Sequence, residues 1–184
     1  MINEKVICAG FGGQGVMLMG QLLAYAANDS NLNTLWYPSY GPETRGGTAN
    51  CSVTISEEPV NSPVISKADT IFIMNNPSLD KFESKVKPGG RILINSSLVD
   101  RKIHRDDINA YYIPANEIAL ELGNSRVANM IMIGAYLQIT KLFEKEIILK
   151  ILKKSFGEAK AHLLGINDKA IEAGRDYIKT HYEK

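Results

Sequence analysis

The fold is decided by residues 5–28, KVICAGFGGQGVMLMGQLLAYAAN, near the start of the chain. The first six residues, KVICAG, have the pattern of a strand, and a cluster of glycines follows them. Apolar residues then recur at helical spacing, at Met17, Leu18, Leu22, Tyr25 and Ala26. A strand, a glycine turn and a helix in this order predict the first unit of an α/β domain.

Further strands are predicted along the chain at NTLWYP, TANCSVTIS, ADTIFIMN, RILINSS and AYYIPA. ADTIFIMN is nearly all apolar, which is typical of a strand buried on both faces in the parallel centre of a sheet. TANCSVTIS is a candidate antiparallel strand, because only a tight loop separates it from NTLWYP. A short helix is predicted at NPSLDKFESKV. From Glu117 onward the pattern is helical, with divisions near Gly123, Glu144 and Gly157.

Length and composition agree with these elements. The chain has 184 residues, 45% of them hydrophobic, which suits one domain with a sizeable core. We therefore predict a single three-layer α/β domain over residues 1–184. Its sheet is expected to be Rossmann-like, mixed but largely parallel, with a helical C-terminal portion.

Charge and hydropathy argue against two classes of partner. Lys and Arg number 21 against 20 for Asp and Glu, and no basic patch carries interleaved aromatics, so nucleic acid is not an expected partner. The longest apolar stretch, VANMIMIGAYLQITKLF, is interrupted by polar residues and falls short of the ~20 residues of a membrane span. The N-terminus has neither a basic leader nor a signal-like apolar run. We expect a cytoplasmic protein without a membrane partner.

The residues that usually carry catalysis or metals are sparse. Cys8 and Cys51 lie in apolar strands and form no CxxC motif, so a disulfide framework, a zinc site and a bound iron–sulfur cluster are poorly supported. Both thiols are expected to be buried and reduced. The three histidines are scattered, and neither G-x-S-x-G nor H-E-x-x-H occurs. No catalytic residue and no metal ligand is predicted.

The first glycine cluster is a candidate anion site. It contains a G-x-G-x-x-G motif between a strand and a helix, where free backbone N–H groups favour a phosphate. A dinucleotide ligand is less supported, because no acidic residue stands at the end of the second strand to hold a ribose. A nucleoside triphosphate is also less supported, because no Lys-Ser or Lys-Thr follows the glycines. The glycines could instead serve only to pack the helix on the sheet, and both interpretations stay open.

A second loop, PSYGPETRGGTANC at residues 38–51, follows the second predicted strand. In doubly wound sheets the loops at the carboxyl ends of strands share one edge, so this loop should meet the first glycine cluster, Asn75 with Asn76, and residues 95–97. Glu43 and Arg45 either pair with each other and stiffen the loop or leave Arg45 available for a phosphate or carboxylate.

Four motifs in order carry a family resemblance: GFGGQGV, SYGPETRGGTANC, NNPSLDKF and KPGGRILINSSLV. Together, from Glu4 to about Tyr136, they resemble the gamma subunit of the 2-oxoacid:ferredoxin oxidoreductases. The resemblance implies a complex that oxidatively decarboxylates a 2-oxoacid and passes the acyl group to coenzyme A and the electrons to ferredoxin. It also implies alpha, beta and delta partner subunits that carry thiamine diphosphate, magnesium and iron–sulfur clusters. This chain alone would be inactive.

Within that family the loop is most similar to the 2-oxoglutarate and branched-chain branches. Pyruvate-type chains tend towards Glu-Arg-Arg-Gly-Ala and indolepyruvate-type chains towards Ser-Gln-Arg-Gly-Gly, whereas this chain has ETRGG at residues 43–47. We favour 2-oxoglutarate, with succinyl-CoA as product. The alternatives are the 2-oxoisovalerate enzyme, the pyruvate enzyme and a stand-alone nucleotide-binding module.

The resemblance further implies coenzyme A as a ligand of this subunit. The candidate binding residues are the two glycine loops: Gly10, Gly12, Gly13, Gln14, Gly15, Tyr40, Gly41, Glu43, Arg45, Gly46 and Gly47. By the logic of the fingerprint, Gly12 lets a ligand or backbone approach, while Gly15 lets the first helix pack on the strand.

Overall fold

A mixed sheet forms the centre of the computed structural model, which describes residues 1–40 and 48–184. Within those residues six strands occur in the order β2-β3-β1-β4-β5-β6. They are β1 (Asn3–Phe11), β2 (Asn33–Tyr40), β3 (Thr48–Ser56), β4 (Ala68–Ile73), β5 (Val86–Asn95) and β6 (Asn109–Ile113). Each predicted strand is thus present, and the predicted α/β class is confirmed.

The direction of β3 agrees with its prediction. β3 pairs antiparallel with both β1 and β2, while β1, β4, β5 and β6 pair in parallel. β2 and β3 are consecutive strands separated only by residues 41–47, a length that permits antiparallel pairing, whereas the parallel strands are joined by longer crossovers. Because β1, β4, β5 and β6 run the same way, their carboxyl ends meet at one edge of the sheet.

Six α-helices are found in the described part of the chain. They are α1 (Val16–Asp29), α2 (Asn76–Phe82), α3 (Ala115–Glu121), α4 (Ala128–Thr140), α5 (Lys145–Phe156) and α6 (Leu164–His181). Their breaks agree with the predicted divisions, since Gly123 has φ +87° and Gly157 has φ +64°. Such angles are in the left-handed region that ends a helix and that glycine adopts readily.

The two faces of the sheet are covered unequally. One face packs through Val6, Cys8 and Phe72 against α1 and the C-terminal helices. The other packs through residues such as Ile71 and Ile92 against α2 and the irregular segments around it. The three predicted layers are therefore present, with most of the helical mass on the first face.

Helix α4 is enclosed by protein. Every residue from 128 to 138 is buried, because the helix lies between the sheet, α1, α3 and α6. Its contact with α6 is close: a Cβ at Gly134 would overlap the carbonyl oxygen of Ile171, and one at Gly174 would overlap that of Ile131. The apolar stretch that contains α4 is thus a core helix. Among the described residues no helix combines the length and apolarity that crossing a bilayer requires.

A partly buried polar network lies towards the amino ends of the strands. Glu4 Oε1 accepts hydrogen bonds from Thr70 Oγ1 at 2.7 Å, Arg91 Nη1 at 2.9 Å and the Tyr136 hydroxyl at 3.3 Å. Burial, followed by the nearby Glu4 carboxylate, raises the pKa of Tyr136. The phenol therefore stays protonated and donates to Glu4. The polar side chains of this network are therefore engaged with one another within the protein.

Candidate functional site

A cleft of about 480 Å³ opens at the carboxyl edge of the sheet. It lies between the turn after β1 and the segment that leads into α4. Its lining residues are Gly13, Gln14, Gly15, Met74, Leu98, Asn116, Ser125, Arg126, Ala128 and Asn129. This volume falls in the usual range for small-ligand pockets. Three of the predicted site residues, Gly13, Gln14 and Gly15, therefore share one cavity.

The turn between β1 and α1 depends on left-handed backbone angles. Gly13 has φ +91° and Gly15, the N-cap of α1, has φ +76°. Within residues 1–40 and 48–184 no side chain caps this helix end. The first N–H groups of a helix have no partner within the helix, and the helix dipole makes this end positive. The geometry thus suits an anion beside Gly15.

Gln14 holds the turn against the end of β4. Its Oε1 accepts from the Phe11 N–H at 2.6 Å, and its Nε2 donates to the Met74 carbonyl oxygen at 3.0 Å. Gly10 lies beneath this bridge, where a Cβ would stand 2.9 Å from the Met74 Cβ. The Gln14 amide is therefore engaged within the protein, and Gly10 permits the close packing.

Gly12 and Gly15 differ in the space around them. Around Gly12 no described atom lies within 4 Å of an ideal Cβ. A Cβ at Gly15 would overlap Asn129 Nδ2 and lie 3.1 Å from Asn129 Cγ. The expectation that Gly15 packs against the strand was wrong, since its close neighbour is α4. The glycine that brings α1 close to the sheet is Gly20, beside Cys51 and Trp36.

Asn129 and Arg126 were missed by the sequence interpretation. Arg126 is exposed, and it makes no ion pair with any carboxylate in the part of the chain that the structure describes. Its backbone N–H donates to Asn124 Oδ1 at 2.9 Å, which orders the turn before α4. The sequence did contain a signal for these two residues, because the polar segment GNSRVAN leads into an apolar helix. Arg126 supplies a positive charge to the cleft.

The asparagines at the strand ends serve the fold. Asn75 Oδ1 accepts from the Ser78 N–H at 2.9 Å and caps α2. Asn95 Oδ1 accepts from the Ala115 N–H at 3.2 Å, while its Nδ2 donates to Asn116 Oδ1 at 2.8 Å. Asn75 and Asn95 thus stand at the expected edge of the sheet, and their contacts fix the loops around the cleft.

The second glycine loop starts and ends beside the first. Tyr40 at the end of β2 is 71% exposed and pairs with Ala49, while Thr48 at the start of β3 pairs with Phe11. Gly41, Glu43, Arg45, Gly46 and Gly47 lie outside the described residues. Their assignment to a ligand, and the alternative ion pair between Glu43 and Arg45, stay predictions.

The chain matches one protein family over nearly its whole length. The model of the family described as pyruvate ferredoxin/flavodoxin oxidoreductase matches residues 5–177. The chain belongs to this family. The match includes most of β1, every described strand and helix from α1 to α5 and most of α6, so it extends well beyond the four motifs.

Relatives within the family carry different substrate names. Ketoisovalerate oxidoreductase subunit VorA of Methanothermobacter marburgensis is 41% identical over 181 residues, 97% of this chain, but the chain spans only 37% of that protein. 2-Oxoglutarate synthase subunit KorC of Methanocaldococcus jannaschii is 35% identical over 157 residues, 84% of each chain. Both similarities extend over most of this chain.

A solved structure confirms the fold. The gamma subunit of the keto/oxoacid ferredoxin oxidoreductase from Geobacter sulfurreducens superposes with a TM-score of 0.79 at 28% identity. The match covers 94% of this chain and 96% of that subunit. A separate subunit of similar length therefore has this architecture.

Proposed function

We propose that this chain is the gamma subunit of a 2-oxoacid:ferredoxin oxidoreductase. The enzyme would convert a 2-oxoacid, coenzyme A and oxidised ferredoxin into an acyl-CoA, carbon dioxide and reduced ferredoxin. The observation that supports this best is the family match over residues 5–177, in a chain that covers nearly all of a gamma subunit of the same fold. Alpha, beta and delta subunits would carry thiamine diphosphate, magnesium and the iron–sulfur clusters.

The role proposed for this subunit is to bind coenzyme A and to hold the complex together. Coenzyme A supplies the thiol that accepts the acyl group, and its phosphates are the anions that a protein must hold. The cleft offers the positive end of α1 at Gly15 and the Arg126 guanidinium, which are donors suited to a phosphate. Met74 and Leu98 add apolar lining. The residues present therefore fit a phosphate-bearing ligand.

Two substrates are supported by different observations. The ETRGG pattern at residues 43–47 is similar to both the 2-oxoglutarate and the branched-chain branches. The KorC relative, which matches this chain over 84% of both lengths, favours 2-oxoglutarate. The higher identity to VorA, 41% against 35%, favours 2-oxoisovalerate. In the proposed enzyme the 2-oxoacid is converted by the assembled complex and not by this subunit alone. The complex must therefore be assayed.

The assembled complex is expected to reduce ferredoxin or a viologen dye in a reaction that requires both thiamine diphosphate and coenzyme A. Initial rates with 2-oxoglutarate, 2-oxoisovalerate, pyruvate and indolepyruvate should be compared at saturating coenzyme A. Fastest turnover of 2-oxoglutarate or of 2-oxoisovalerate selects between the two substrates. The isolated chain should be colourless and inactive. Turnover by the isolated chain would contradict the proposal.

Arg126→Ala is expected to raise the apparent KM of the complex for coenzyme A by roughly ten- to a hundredfold, because a hydrogen bond to a charged group contributes about 1.5 to 3 kcal/mol. The thermal midpoint of the isolated subunit should stay nearly unchanged, since Arg126 is exposed. Lys160→Ala is the matched control, because Lys160 is exposed and lies outside the cleft. Steady-state kinetics at varied coenzyme A provides the measurement.

Arg45→Ala belongs in the same assay, because Arg45 is the cation that the sequence singled out. A rise in KM for Arg45→Ala alone would assign the phosphate contact to the second glycine loop instead of the cleft. If both variants assemble normally and match the wild type at limiting coenzyme A, neither arginine binds the coenzyme.

A further inference from the structure

Cys8 and Cys51 face each other in the core. They are 43 positions apart in sequence and stand directly opposite each other in the antiparallel register of β1 and β3. Both side chains belong to the same apolar cluster, so they point to the same face of the sheet, and both are fully buried. Neither cysteine has a role in the proposed function. We propose that Cys8 and Cys51 form a reversible intramolecular disulfide when the chain is exposed to a peroxide.

The backbone separation suits this bond. Directly opposed residues of antiparallel strands have Cα atoms about 4.5 to 5.5 Å apart. Disulfides join cysteines whose Cα atoms are about 4.4 to 6.8 Å apart. The two strands therefore need no large movement, and the bond requires only that the two thiols rotate towards each other.

The surroundings of Cys51 favour its thiolate. Hydrogen bonding from the Cys8 thiol lowers the pKa of Cys51, and burial opposes this effect. The Cys51 thiol, together with burial, raises the pKa of Cys8. Cys51, which also lies beside the Trp36 indole, is therefore assigned as the attacking thiol, with Cys8 as the neighbouring proton donor.

The Trp36 indole provides a second, independent observation. Its Nε1 is buried and has no hydrogen-bond partner within residues 1–40 and 48–184. A Cβ built on Gly20 would lie 2.9 Å from Trp36 Nε1 and would overlap Cys51 Sγ, so these two groups converge on one point. A buried N–H without an acceptor is costly, and a negatively charged sulfur beside it would supply that acceptor.

The reaction is balanced with hydrogen peroxide as the oxidant. The Cys51 thiolate attacks one peroxide oxygen, which gives a sulfenic acid at Cys51 and, after proton transfer, one water. The Cys8 sulfur then attacks the Cys51 sulfur, forms the S–S bond and releases the second water. Two thiols are oxidised and one peroxide is reduced to two waters. Because both sulfurs are buried, the reaction requires local opening of the core and is slower than that of an exposed thiol.

The bond would lie directly behind the candidate site. Cys8 comes two residues before Gly10, and Cys51 three residues after Thr48. In the reduced chain the Cys51 thiol donates to the Val16 carbonyl oxygen, at 3.3 Å, in the first turn of α1. Oxidation removes this S–H donor and ties β1 to β3. The state of the cysteine pair is thereby coupled to the start of α1.

The test is peptide mapping of the purified chain after exposure to hydrogen peroxide. Samples are unfolded in the presence of iodoacetamide, digested without reductant and analysed by mass spectrometry. We expect a cross-linked peptide that contains Cys8 and Cys51, about 2 Da lighter than the sum of the two thiol peptides, and its loss after dithiothreitol. The proposal would be overturned if iodoacetamide still alkylated both Cys8 and Cys51 after an exposure to peroxide that already oxidises the exposed Met1. So would disulfides found only between chains.

Two variants test the order of attack. In Cys8→Ala, Cys51 should stop at the sulfenic acid and be labelled by dimedone. In Cys51→Ala, Cys8 should remain a thiol under the same exposure, because burial still disfavours its thiolate after the contact with Cys51 is lost. Dimedone labelling of Cys8 in place of Cys51 would overturn the assignment of Cys51 as the attacking thiol. The peptide map of the wild-type chain tests the disulfide without either variant. Its result does not depend on the proposed substrate or on binding of coenzyme A.

Discussion

Gly134→Ala is expected to lower the free energy of unfolding by about 3 kcal/mol, the upper end of the usual cost of overpacking a core. The added Cβ would overlap the Ile171 carbonyl oxygen and lie within 2.9 Å of the Ile171 Cα and carbonyl carbon. These are backbone atoms of α6, which cannot rotate away as a side chain can. Helices α4 and α6 must therefore separate, and both are needed to cover the sheet.

Gly165→Ala is the matched control for this prediction. Gly165 lies in α6, is exposed, and has no described atom within 4 Å of an ideal Cβ. Alanine there should leave stability unchanged or raise it by about 0.5 to 1 kcal/mol, since glycine is a poor helix former. Urea unfolding of the wild type and both variants, followed by circular dichroism, measures the difference. Equal midpoints for Gly134→Ala and Gly165→Ala would show that the two helices are not in close contact.

Gly15→Ala should destabilise the isolated subunit by about 2 kcal/mol. A left-handed backbone costs an L-residue about 1 to 2 kcal/mol, and Gly15 has φ +76°. The new methyl group would also displace the Asn129 side chain, which lies against Gly15. Because Asn129 lines the same cleft, the variant should lose coenzyme A affinity as well as stability.

Gly12→Ala separates these two effects. The backbone at Gly12 has no positive φ and the space around it is open, so the unfolding midpoint should not change. Reconstituted activity should fall, because the methyl group would stand where a ligand or a partner backbone is proposed to approach. If both substitutions cost equal stability and activity follows the amount of folded subunit, the glycine turn is structural. The anion site proposed at Gly15 would then be abandoned.

Much of the fold could be predicted because its signals are short-range. Residues 5–28 contain a strand, a glycine turn and a helix, and β1 and α1 occupy those places. The apolar run ADTIFIMN became β4, which is buried throughout. Even the antiparallel direction of β3 followed from the short connection to β2, since chain length limits how two strands can pair.

The candidate site was only partly predictable. The glycine motif located Gly13, Gln14 and Gly15, and the rule for parallel strands located the edge of the sheet. Arg126 and Asn129 were missed because they are more than 100 positions away from the glycine turn. Nothing in their own segment indicates which loop they will face. The side-chain hydrogen bonds of Gln14 were equally hidden, because they depend on where β4 ends.

The sequence by itself determined which segments are strands and helices, where glycine turns separate them, and that β3 returns antiparallel. Those properties depend on hydrophobic periodicity and on the backbone angles allowed to a few adjacent residues. Only the tertiary structure decided that Asn129 stands against Gly15, that α4 touches the backbone of α6 at Gly134, and that Cys8 meets Cys51. These contacts join segments that are distant in sequence. They result from close packing of the whole core, in which the position of each element depends on all the elements that it contacts.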